Sequence, residues 1–136
     1  MSTVMDLFFT HSATTHGITV RVAPRYLPEQ SDPHGHRFVW SYHVRLENHS
    51  NDIVQLLRRH WFITDGEGRV SEVEGEGVVG EQPVIPPGGS FDYVSGCPLP
   101  TPRGSMAGRY HMDGPDGGFD VLIPGFALVR PSAGTE

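Results

Sequence analysis

The run Arg37-Phe38-Val39-Trp40-Ser41-Tyr42-His43-Val44-Arg45-Leu46-Glu47 alternates without a break. One parity carries Phe38, Trp40, Tyr42, Val44 and Leu46; the other carries Arg37, Val39, Ser41, His43, Arg45 and Glu47. Period two sends successive side chains to opposite faces of a strand, so the first set is expected in a core and the second largely in water. Ile18, Val20 and Val22 repeat the pattern, as do Phe91 with Tyr93, then Met106, Tyr110 and Met112 around Gly108, then Phe119, Val121 and Ile123. Turn formers separate these runs. Asp65-Gly66-Glu67-Gly68 reads as a hairpin between Ile53–Ile63 and Arg69–Val73. Pro86-Pro87-Gly88-Gly89 breaks the chain before Phe91, and Asp113 to Gly118 is another turn region. Pro98, Pro100 and Pro102 read as an extended connection that donates nothing to a ladder. No window shows convincing helical periodicity. The expectation is an all-β fold: an antiparallel sandwich of immunoglobulin-like type with seven or eight strands, a small closed barrel being the alternative.

The chain has 136 residues, the size of one domain. Residues 1–136 are read as that single domain, with short mobile tails at 1–15 and 132–136. Gly and Pro, 17 and 12 of them, make up about a fifth of the chain against a usual ~12%, which argues against a helical bundle. Every basic residue is Arg. Without Lys there is no P-loop and no lysine Schiff base. The net charge of −6 disfavours non-specific binding to nucleic acid or anionic lipid. One cysteine, Cys97, allows no intrachain disulfide, and no apolar run approaches the ~20 residues of a spanning helix. Asp6 and the short run Leu7-Phe8-Phe9 do not make a signal peptide. A cytoplasmic setting without membrane insertion is expected.

The charge is unevenly placed. Between residues 65 and 81, six acids (Asp65, Glu67, Glu72, Glu74, Glu76, Glu81) face only Arg69, a net −5. That region contains Gly75-Glu76-Gly77-Val78-Val79-Gly80, which matches G-x-G-x-x-G. The dinucleotide version of the string works by opening a helix whose N-terminus holds pyrophosphate. Here Pro83, Pro86 and Pro87 follow, so no helix is expected, and the glycines are read as serving positive φ or close backbone approach. The acidity favours a cation or a basic partner surface over phosphate.

His34-Gly35-His36 would place two imidazoles on one face of an extended segment, with Asp32 adding an oxygen, as a divalent-metal site. The competing reading is a polar turn marked by Pro33 and Gly35. Arg58-Arg59-His60-Trp61 is unusual inside an apolar run. Neighbouring strand residues face opposite ways, so both arginines cannot enter one core. Either they pair with the acidic loop that follows, or they contact an anion on an exposed sheet face. Cys97 reads as a half-buried small hydrophobe. No G-x-S-x-G, H-E-x-x-H, EF-hand or C-x-x-C motif occurs, and no enzyme activity is expected.

Several strings together resemble the bacterial ApaG family. They include Tyr26-Leu27-Pro28-Glu29-Gln30-Ser31, Arg59-His60-Trp61, Val73 through Pro83, Pro87-Gly88, Ser95-Gly96, Gly104 through Gly108, and Ile123-Pro124-Gly125-Phe126. The resemblance covers about residues 16–131, with Gly75 to Pro83 its most specific piece. It implies a fibronectin type III- or immunoglobulin-like sandwich. It also implies a link to cobalt resistance and magnesium efflux without a defined molecular activity, and its eukaryotic fusions to F-box and polymerase-interacting proteins imply an interaction module. A pyrophosphate-binding idea attached to the family maps onto Gly75, Gly77 and Gly80. The Ser31–Arg37 region is variable in the family, so His34 and His36 inherit no role, and Val94 stands where Thr is commoner.

The leading expectation is therefore a non-enzymatic binding module in divalent-cation homeostasis, with a protein partner and no cofactor, unless a divalent cation binds directly. The binding residues would be Arg59, Trp61, Gly75, Gly77 and Gly80. One alternative is a binder or hydrolase of a pyrophosphate-containing nucleotide, which requires Arg58, Arg59 or Arg109 to converge on the Gly75 loop. Another is a cobalt or magnesium sensor built from Asp32, His34 and His36. Exposed strand edges also make a homodimer an expectation.

Overall fold

A computed structural model describes residues 4–131. A five-residue helix α1 (Val4–Phe8) precedes nine strands: β1 (His11–Thr15), β2 (Ile18–Tyr26), β3 (Phe38–Asn48), β4 (Val54–Asp65), β5 (Val70–Glu76), β6 (Val84–Ile85), β7 (Ser90–Leu99), β8 (Arg103–Gly114) and β9 (Gly117–Val129). They form two antiparallel sheets. The first has the order β1-β2-β3-β7; the second has β5-β4-β8-β9, with β6 also paired to β4. The two sheets face one another as a sandwich, as the alternation predicts.

The alternating residues do what their spacing requires. Trp40, Tyr42, Val44 and Leu46 of β3 point inward beside Ile18, Val20 and Val22 of β2, and all are buried. They meet Leu56 and Trp61 of β4, Met106, Tyr110 and Met112 of β8, and Val121, Ile123 and Leu128 of β9. Each aliphatic side chain fully buried here contributes on the order of 1.5–3 kcal/mol. The aromatic centre is Trp61, with edge-on contacts to Tyr42, Tyr110 and Phe126.

Two bulges reset the inward phase. The β8–β9 register shifts between Met106 and Gly108, so Ile123 and Phe126, three residues apart, both face the core. Pro124 and Gly125 lie between them, and neither is suited to a regular ladder position. The β4–β8 register shifts between Leu56 and Arg58. Leu57 is the extra residue, and beyond it the inward parity of β4 passes to Arg59, Trp61 and Ile63.

The termini and some boundaries differ from expectation. Of the expected tail at 1–15, residues 1–3 lie outside the described residues, and His11–Thr15 are strand: β1 pairs with β2 from His11↔Val22 to Thr15↔Ile18. Its sequence, His-Ser-Ala-Thr-Thr, lacks an apolar period because it is a half-buried edge strand whose anchoring is largely through backbone. Upstream, the Asp6 carboxylate meets the Arg21 guanidinium at 3.0 Å, and Phe9 packs edge-on against His43. The other expected tail, 132–136, lies outside the described residues. The ladder of β7 runs on through Pro98, opposite Val39, to Leu99. Pro98 is tolerated there because β7 is a sheet edge.

Val39 and Glu47, expected in water, are buried: the Leu27–Ser31 segment runs beside Val39, whose carbonyl accepts from the Leu27 amide at 2.8 Å and whose amide donates to the Ser31 hydroxyl at 2.9 Å, and charged groups gather on Glu47. Glu47 receives Arg21 at 3.1 Å, Arg45 at 2.9 Å and His49 at 3.1 Å. Burial works to raise the Glu47 carboxyl, but hydrogen bonds from Arg45, His49 and Arg21 outweigh it and hold it below its ordinary range.

Candidate functional site

The two sheets close on one side and gape on the other. Where β9 ends the second sheet, β1 and β2 pack along it. Where β5 ends it, a cleft of about 470 Å³ separates β5 from β7. Val70, Ser71 and Val73 form one wall, Ser95 to Leu99 the other, and Tyr42, Trp61, Ile63 and Met106 the floor. A second hollow of about 320 Å³ continues past Arg59 toward the Gly-rich loop, between Tyr93, Ser95, Val78, Val79 and Gly80.

Arg59 stands at the junction of the two. The Leu57 bulge turns it inward, and its Nη1 donates to the carbonyls of Glu76 and Gly77, both at 3.0 Å. The guanidinium therefore pairs with the acidic loop, but through backbone oxygens rather than carboxylates. Gly75, opposite Arg59 in the ladder, makes room for it: a Cβ there would lie 2.8 Å from Nη1. Gly77 is required twice over, by φ +63° and by the Glu81 carbonyl 2.2 Å from where its Cβ would sit. Val79 and Gly80 follow with φ +43° and +80°. Val78 and Glu81 then exchange backbone bonds at 2.8 and 2.9 Å, closing a tight turn with both central residues at positive φ. A β-branched residue at positive φ is strained, and Val79 carries that strain on an exposed tip.

This loop does not open a helix, as its prolines predict. Three of its amides are already committed: Gly77 to the Leu57 carbonyl, Val78 to Glu81, and Glu81 to Val78.

Beside Arg59 lie three phenols that the sequence presents only as core positions. Tyr93 and Tyr110 share a short hydrogen bond between their hydroxyls. Burial pushes the Tyr110 and Tyr93 hydroxyls well above the ordinary phenol range, and Arg59 pulls slightly the other way on both. Burial raises Tyr42 as well, against a hydrogen bond with Ser95. All three remain neutral donors at pH 7. Their only signal in the sequence is a phenol on the inward parity of three separate strands. Burial likewise pushes the Cys97 thiol up to about 11, which leaves it protonated and unreactive.

The structure thus brings together Arg59, Trp61, Gly75, Gly77 and Gly80 around one cleft. Trp61 is floor rather than lip, only 2% exposed. It does not bring together the metal candidates. Asp32 caps a 3-10 turn over Pro33–Gly35, its Oδ1 accepting from the Gly35 amide at 3.2 Å, and His36 is left-handed at φ 54°. Side chains two apart share a face only on extended backbone, and this backbone is wound. Among the described residues no group of three or more His, Cys, Asp or Glu is arranged to hold a metal ion.

Arg58 and Arg109 lie on the opposite, outward face of the second sheet. There Arg58 neighbours Glu76, and Arg109 lies over the Phe62 ring with its Nη2 3.0 Å from His60 Nδ1. The same His60 Nδ1 is 3.0 Å from Glu74, and Nε2 is 3.4 Å from Glu72.

Fold and site together define an antiparallel β-sandwich, closed along one seam and open along the other, with a loop-capped cleft in the open seam. Comparison with known proteins places it further. The family model described as the ApaG domain matches residues 28–114. A Paramagnetospirillum magneticum protein named ApaG is 56% identical over 122 residues, covering 89% of this chain and 94% of that protein. A Brucella suis ApaG protein is 54% identical over the same shares. Among solved structures, a Bordetella pertussis protein described as ApaA superposes with a TM-score of 0.82 at 53% identity, covering 85% of this chain and 95% of that one. The chain belongs to the ApaG domain family. Among the described residues no helix is long and apolar enough to cross a membrane.

Proposed function

We propose that this chain is a non-enzymatic binding module that takes a segment of a protein partner into its open inter-sheet cleft. Through that partner it would serve divalent-cation homeostasis in the cytoplasm. The observation carrying the reading is the cleft itself: an apolar floor between two sheet edges, with Arg59 and the Gly75–Gly80 loop at one end. Concave, mostly apolar surfaces with a few convergent polar groups are where proteins bind. The test is partner capture from cell lysate by the unaltered chain and by Ser71→Trp. Ser71 is exposed and lines the cleft, so an indole there fills it without replacing any core side chain. A specific partner lost at unchanged Tm supports the reading; identical captured sets overturn it.

A second reading, binding of a pyrophosphate-containing nucleotide, retains one favourable observation, because Arg59 does reach the Gly-rich loop. The committed loop amides and the surrounding carboxylates weigh against it. Calorimetric titration with inorganic pyrophosphate decides: heat that is saturable and lost in Arg59→Met would restore this reading over the first.

A further inference from the structure

Resting on the reading that the open seam binds a partner, we propose what the occupant is. It is an extended basic segment of a partner protein, alternating Lys or Arg with apolar residues, which adds as a strand to the free edge of β5.

The outward face of the second sheet is striped by charge, strand by strand. On β9 stands Asp120, which meets His111 of β8 at 2.9 Å. Next, β8 and β4 together form a basic band, since the register sets His111 beside Arg58 and Arg109 beside His60. Then β5 is acidic: Glu76, Glu74 and Glu72 face Arg58, His60 and Phe62 in turn. Asp120 and the β5 glutamates each have a basic neighbour on the inner flank, but among the described residues no strand pairs with the outer flank of β5. Glu72 and Glu74 remain 58% and 59% exposed even with His60 between them. A strand presenting cations at every second residue would continue the pattern. Opposite charges directly across a ladder stabilise pairing, and like charges oppose it.

The other face of β5 asks for the alternate residues to be apolar. Ser71 and Val73 line the cleft, whose floor is Trp61 and Ile63, and Val73 is itself exposed. An incoming strand has its alternate side chains over that floor while its cations flank the glutamates.

The edge is also unguarded in the usual ways. Strand β5 has no proline and no bulge against β4, and no lysine occurs anywhere in the chain. What guards it is its own acidity. A second copy adding antiparallel through β5 would set glutamate rows side by side, so the edge rejects itself while accepting a basic strand. Strand addition takes its affinity from main-chain bonds and its specificity from alternate side chains.

The probe is an acetylated, amidated eight-residue peptide alternating lysine and valine, titrated calorimetrically and by amide NMR. Binding with shifts confined to β5 and the cleft walls is expected. The Glu72→Gln/Glu74→Gln double variant should weaken it about five- to tenfold at low salt. Methylating the peptide nitrogens of all lysines or of all valines should abolish binding in one phase only, because alternate N–H groups point toward and away from β5. No binding, equal affinity for the double variant, shifts centred on β7, or indifference to the methylation phase would each overturn the proposal. The two readings separate cleanly. If Ser71→Trp loses the partner captured from lysate and the double glutamate variant keeps it, the cleft reading stands and the basic strand falls.

Discussion

Strands β9 and β5 are the two ends of one sheet, and they finish in opposite ways. Strand β9 sends Val121, Ile123, Phe126 and Leu128 inward, all buried, and β1 and β2 close over it. The Leu122 amide donates to the Thr15 hydroxyl at 3.2 Å, and the Trp40 indole donates to the Val129 carbonyl at 3.1 Å. Strand β5 offers only Ser71, Val73 and Gly75 on its inward side. Facing sheets stand about 10 Å apart, and side chains this small cannot bridge that gap. The seam at β5 stays open because its inward residues are short, and Arg59 occupies part of the space that Gly75 vacates.

Substitutions at the two seams should therefore differ in size as well as in kind. Leu128→Ala in the closed seam leaves a cavity beneath a fully buried position and should cost about 2–5 kcal/mol in denaturant unfolding. A loss below ~1 kcal/mol would show that this seam is looser than its burial implies. Next comes Arg59→Met, which keeps the stem and removes two bonds to the Glu76 and Gly77 carbonyls. About 1–2 kcal/mol is expected, with faster hydrogen exchange at the Gly77 amide while β9 amides stay protected.

Acid should open the same seam first. Burial works to raise the Asp65 carboxyl, but the Arg69 guanidinium and the Glu67 and Arg69 amides hold it below its ordinary 3.8. A carboxyl depressed in the folded state stabilises above its unfolded pKa and loses that contribution as pH falls through the folded value. Below about pH 4, amides of the β4–β5 hairpin should lose exchange protection before those of β8–β9. Simultaneous loss at both ends of this sheet would contradict this. The smallest effect is expected from Val73→Ser on the cleft wall, within ~0.5 kcal/mol in the same unfolding assay. A larger loss would mean that Val73 supports the core rather than the cleft.

Much of this was legible from residues alone. The Phe38–Leu46 alternation marks β3 as a central strand with one buried face, and Pro83 together with Pro86 denies the Gly75 string its helix. Three features were not legible. Strand β1 has no apolar period, because a half-buried edge is held largely by its backbone. The Leu57 bulge is a register event between strands, and no spacing within β4 announces that Arg59, not Arg58, turns inward. The geometry of Asp32, His34 and His36 was not legible for a related reason: the face they would share exists only if the backbone is extended, and Pro33–Gly35 winds it into a turn.

Read by itself, the chain determined its layers, its turns and the concentration of acid between residues 65 and 81, because alternation, proline, glycine and charge act locally. Which seam closes was decided only when the sheets packed, since that depends on the summed reach of side chains from strands far apart in sequence. The convergence of Arg59, Trp61 and the Gly75–Gly80 loop on one cleft follows from the same packing.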